Sequence, residues 1–168
     1  MLSALRGKLV LVAVGLLGLL VPGNLLSPAI AATATTTFTV TATVQATCLI
    51  SATSLAFGTY TGVQVDATST ITVTCTNTTP WNIGLNAGTA PGATVTTRQM
   101  LNGAATLNYA LFRDAARTLN WGNTVATDTL AGTGSGAAQA QTVFGRVAGS
   151  QFPAPGGYAD TITATVTF

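Results

Sequence analysis

Beyond residue 31 few side chains could do chemistry. There are two cysteines (Cys48, Cys75), four aspartates (Asp66, Asp114, Asp128, Asp160) and four arginines (Arg98, Arg113, Arg117, Arg146), with no Lys, Glu or His. The usual general bases are missing, and acid–base work would fall to aspartates scattered along the chain. No serine has a histidine partner for nucleophilic activation. Two cysteines without a histidine make a poor zinc site, and no Asp-rich run has the spacing of a calcium loop. The reading is a non-enzyme with no catalytic residue, metal or cofactor.

Three other features carry alternatives. Trp81 and Trp121 could form a sugar-stacking platform, but Trp81 sits in an alternating segment and reads as core. Arg113-Asp114 with Arg117 is the densest charged spot and reads as a solvated hairpin end. Asn77-Thr78-Thr79 fits a glycosylation sequon, which has physical meaning only in a eukaryotic secretory route.

The cysteines take their meaning from the start of the chain. Arg6 and Lys8 precede a run of thirteen apolar or glycine residues (9 to 21), then Pro22-Gly23-Asn24 and a small-x-small site at Ala29-Ile30-Ala31. That order predicts a secretory signal peptide over 1–31. The run is short of the about 20 apolar residues a membrane anchor needs, so no anchor is expected in the mature chain. In an oxidising compartment a lone cysteine pair predicts a Cys48–Cys75 disulfide, with two free thiols as the alternative. Closing a loop of about 28 residues stabilises by about 3.6 kcal/mol in the chain-entropy model.

Without the signal, four Arg balance four Asp. A neutral chain has no electrostatic footprint for nucleic acid or an anionic membrane. The remaining length of about 137 residues suits one domain and leaves no room for a second full sandwich. About a quarter of it is Thr, which with Val is stiff at χ1 and suits a pleated sheet.

Short alternating segments recur between turn signals, with no helix carrying an apolar stripe. They cover 36–44, 46–51, 54–62, 68–76, 81–88, 105–114, 142–147 and 158–168, with a short strand possible between Asp114 and Trp121. Loops are expected at 87–94 and 152–157, and the most flexible at 130–139. Seven to nine strands at this spacing predict an all-β sandwich. In TTFTVTATV (36–44), Phe38, Val40, Ala42 and Val44 share one face. By itself it reads as the first strand of its own sheet, although no tight turn follows to fold it back.

An ordered set of residues starts with Cys48, Phe57-Gly58-x-Tyr60, and Cys75 before Trp81, Ile83 and Leu85. Arg98, Met100, Leu107-x-Tyr109-x-Leu111, Asp114 and Trp121-Gly122 continue it. Phe144-Gly145-Arg146-Val147 and Pro155-x-Gly157-Tyr158-x-Asp160-Thr161 complete it. This set resembles the spore coat protein U family, whose best-understood members resemble pilins of the archaic chaperone–usher pathway, and the match spans about residue 36 to Phe168.

The resemblance implies an incomplete immunoglobulin-like sandwich lacking its last strand and completed by a donor strand from another subunit. Residues 32–45 would be the donor extension, filling a groove with Phe38, Val40, Ala42 and Val44, and 46–168 the pilin domain. Ile162, Ala164, Val166 and Phe168 of the C-terminal strand would border the groove. The implied partners are a periplasmic chaperone, an outer-membrane usher and other pilin subunits in a homopolymer. The implied role is a fibre-shaft subunit, exported through the periplasm to a surface pilus that serves adhesion and biofilm formation. The alternatives are a stand-alone secreted sugar-binding sandwich and a coat protein assembling without an usher.

Overall fold

A computed structural model describes residues 30–168; most of the expected signal peptide lies outside them. The chain forms two units, Met1–Thr41 and Ala42–Phe168. In the first, residues 30–41 carry no strand, and Phe38 and Val40 are 86 % and 82 % exposed.

The second unit is all-β, with no helix among the described residues. Its strands are β1 (Cys48–Ala52), β2 (Val65–Cys75), β3 (Pro80–Leu85), β4 (Arg98–Asn102), β5 (Ala105–Phe112), β6 (Leu130–Thr133), β7 (Ala138–Val147) and β8 (Ala164–Thr167). One sheet has the order β1-β2-β7-β5-β4 and the other β6-β3-β8. Every pairing is antiparallel.

Alternation explains the layering. Ile71, Val73 and Cys75 of β2, Leu107, Tyr109 and Leu111 of β5, and Val143 and Val147 of β7 face Trp81, Ile83 and Leu85 of β3 in one core. The intervening side chains alternate to the other face, among them Thr72 and Thr74 of β2, Asn82 of β3, Thr106 and Asn108 of β5 and Arg146 of β7. Cys48 lies directly opposite Cys75 and is bonded to it, tying edge strand β1 to β2.

Four segments differ from the sequence expectation. Residues 54–62 join no ladder; Leu55 and Phe57 instead cover Gly145 of β7, where a Cβ would come within 2.8 Å of Leu55. Their apolar faces are satisfied by packing rather than by strand pairing. Residues 130–139, expected to be flexible, supply β6 and the start of β7. Gly132 is a packing glycine there, because a Cβ would collide with the Trp81 ring. The unexpected β4 pairs with β5 across a two-residue turn led by Gly103 at φ +59°. Of 158–168 only Ala164–Thr167 is a strand, because Ala159 bridges Leu101 of β4 before the chain crosses to the other sheet.

The charged spot at 113–117 is a turn. Asp114 accepts hydrogen bonds from Thr118 N–H, Thr118 hydroxyl and Leu119 N–H. Arg117 stacks over Phe144 with its guanidinium 5.6 Å from the ring centroid.

Candidate functional site

Sheet edges β1 and β8 come within 8 Å of one another. Beyond Ala52 the strand ends, and a cavity of about 430 Å³ opens between the sheets. Its floor is Ile71, Leu111 and Val143, and its C-terminal wall includes Tyr158, Ile162 and Ala164. A second cavity of about 820 Å³ continues it toward Leu107, Val147 and the 151–157 turn. The two share Leu55, Phe57, Met100 and Tyr158, so they adjoin along these side chains, and the first is the groove between the sheets.

The groove runs beside an open sheet edge. β8 pairs with β3 alone, and no strand among the described residues pairs with its other side. Asn86 N–H donates to Thr163 O, and Thr165 and Thr167 lie opposite Gly84 and Asn82. In an antiparallel ladder every second residue points its N–H and C=O to the same neighbour. Ala164 and Val166 therefore point theirs away from β3, and the same two residues turn half-buried side chains inward. Ile162 also packs against the core, whereas Phe168 lies past the strand and is 56 % exposed.

On the N-terminal side, Val44 is 82 % exposed and Ala42 is also exposed; neither lies in a strand. The four residues expected to fill a groove are thus solvent-facing. Both tryptophans are buried, with Trp121 donating its indole N–H to Ile83 O at 2.8 Å, which removes the sugar-stacking platform.

Where the C-terminal segment crosses between sheets, a polar knot holds it. Asp160 accepts from Thr89 N–H and hydroxyl at 2.8 Å each, from Thr161 N–H at 2.7 Å and from the Tyr109 hydroxyl at 2.6 Å. Burial pushes the Asp160 carboxyl upward, but these bonds to its charged form outweigh that and hold it below the usual carboxylate value. Burial, and then Asp160 itself, push the Tyr109 phenol far upward, so it stays a donor. Arg98 is fully buried with no carboxylate partner, and its guanidinium donates to the carbonyls of Leu85, Asn86, Val95 and Trp121. Burial lowers its pKa, and the four carbonyl dipoles satisfy the charge in place.

Of the four C-terminal residues expected to border a groove, Ile162 and Ala164 line the first cavity and Val166 and Phe168 line neither; sequence reasoning did not name Leu55, Phe57, Met100, Leu111, Val143 and Tyr158. Their alternation signals that they face inward. No local signal says that the interior they face is open.

Residues 34–165 match the Spore Coat Protein U domain. "Protein U" of Myxococcus xanthus is 38 % identical over 160 residues, spanning 84 % of this chain and 89 % of that protein. A solved chain also matches, from the CsuC–CsuE chaperone–tip adhesion subunit pre-assembly complex of archaic chaperone–usher Csu pili of Acinetobacter baumannii. Its TM-score is 0.57 at 26 % identity over 75 % of this chain, and the match spans 40 % of that chain's length.

Proposed function

The chain belongs to the spore coat protein U family, and on that premise we propose that it is a structural subunit of a surface pilus assembled by donor-strand exchange. It is exported through the periplasm, where a chaperone lends a strand to the groove. At the outer-membrane usher, residues 32–45 of another subunit replace that strand. The fibre serves adhesion and biofilm formation, and the chain's role in it is structural rather than catalytic.

One observation carries this reading: the outward-facing backbone of Ala164, at the start of an edge strand without a second partner, borders an open groove between the sheets. An unpaired edge beside uncovered core is a liability that proteins normally cover. A strand added there gains ladder bonds and fills pockets with alternate side chains. Burying Phe38, Val40 and Val44 is worth about 1.5 to 3 kcal/mol each before ordering costs. The matching solved complex joins a chaperone to a pilus subunit, which supports the same partner chemistry here.

Cross-linking tests the exchange. One cysteine replaces Thr39, Thr41 or Thr43, and another replaces Thr161, Thr163 or Thr165. Directly opposed Cβ atoms lie about 4.5 to 5.5 Å apart, so one or two combinations react well. The expected product is a ladder of covalent multimers on a non-reducing denaturing gel. Efficient bridges confined to monomers mean that the segment pairs within its own subunit, and the pilus reading then fails.

A further inference from the structure

We propose that Asp160, with Tyr109 and Thr89, is a positioning latch that keeps the groove open to receive a strand. The proposal rests on the donor-strand reading and adds to it the device that holds an unfilled sandwich apart.

A sandwich with a missing strand has a physical problem. Apolar walls on either side of an empty groove gain by closing on one another. The backbone ladder does not prevent this along the C-terminal wall. Between the Leu101–Ala159 bridge and the start of β8 at Ala164, only Thr163 reaches a neighbouring element through its backbone, at Asn86.

Asp160 lies within this gap. Its carboxylate is tethered to the loop between β3 and β4 by both donors of Thr89, and to β5 by the Tyr109 hydroxyl. Thr89 follows β3 in one sheet and Tyr109 lies in the other, so the tethers fix the segment against both. Tyr109, Asp160 and Thr161 themselves line the groove, and the flanking Tyr158 and Ile162 form its wall. The loop approaches so closely because residue 88 is glycine at φ +87°; a Cβ there would collide with the Asp160 carboxylate. Charge-assisted bonds of this length are about twice as strong as neutral ones. The wall is therefore held at its margin, by bonds to both sheets rather than by a tie across the groove.

The latch matters most before a strand arrives, because a bound strand spaces the walls by itself. Removing the latch lowers the fraction of subunits competent to bind, and apparent affinity falls by that fraction. The probe is a fluorescent peptide of residues 33–44, added to the mature full-length chain carrying Asp160→Asn, Tyr109→Phe or Thr89→Val. Tyr109→Phe keeps the ring in the core, so it remains informative if Asp160→Asn does not fold. The expected result is association about tenfold slower than in the unaltered chain, with unchanged dissociation, and a smaller loss for Asp160→Asn than for Asp160→Ala. If a folded Tyr109→Phe chain melts earlier yet associates at the unaltered rate, the latch is only a stability element and the proposal is overturned. If the unaltered chain takes up no peptide while remaining a stable monomer, the donor-strand reading falls first and the latch with it.

Discussion

Two stretches of this chain share one pattern and meet different fates. TTFTVTATV (36–44) and DTITATVTF (160–168) both alternate threonine with apolar residues. In the second, Ala164–Thr167 pairs with β3, and Ile162, Ala164 and Val166 reach the core. The first pairs with nothing among the described residues, and Phe38, Val40 and Val44 face solvent. Alternation makes a segment competent to be a strand, because it sorts side chains to two faces. A ladder also needs an unpaired backbone edge at the right place, and β3 supplies one only to the C-terminal stretch.

The largest expected effect separates the two stretches outright. Deleting residues 33–44 abolishes fibres while the subunit, held by its chaperone, keeps its fold. Fibre yield by electron microscopy and disulfide content by mass spectrometry check the two halves. Normal fibres from the deletion would end the donor-strand reading.

Single aspartates sharpen the same contrast. Val166→Asp puts a charge against the core of its own subunit and destabilises it by roughly 2 to 4 kcal/mol, read by denaturant unfolding. Val40→Asp leaves that unfolding midpoint within experimental scatter and instead lowers fibre yield severalfold. Equal effects on both measurements would erase the distinction between the stretches.

The disulfide ties β1 to β2, and β1 also approaches β8. Cys48→Ser with Cys75→Ser costs about 3.6 kcal/mol if native geometry is unstrained. Its groove consequence is indirect, so a loosened β1 should lower peptide uptake less than it lowers stability.

Acidification gives the smallest effect. The folded-state pKa of Asp160 lies below its unfolded value, so its stabilisation is fully present above the unfolded value, about 3.9. It is lost as pH falls through the folded value. Melting temperature should hold from neutral pH down to about 4 and then decline. Asp160→Asn should flatten part of that decline, and an unchanged slope would remove Asp160 as its source.

Much of the molecule is a local property of its residues. Period-two alternation marks Ile71-x-Val73-x-Cys75, Trp81-x-Ile83-x-Leu85 and Leu107-x-Tyr109-x-Leu111 as half-buried strands, and all three are core. The lone cysteine pair marks the disulfide. The ordered motif residues mark the family, and with it the expectation of an incomplete sandwich. Pairing and closure are different, because they depend on residues far apart in the chain. Leu55 and Phe57 alternate like a strand but pack over Gly145 without joining a ladder. Gly132 reads as flexible, yet the Trp81 ring makes it a tight contact between strands. Arg98, Tyr109 and Asp160 stand out in the motif with no visible role until the fold gathers Asp160 with Thr89, 71 positions away, and Tyr109, 51 positions away. Residue types set which face each strand turns inward. Only the tertiary structure decides that one side of the interior is left open, because an opening is defined by the strand that is absent from it.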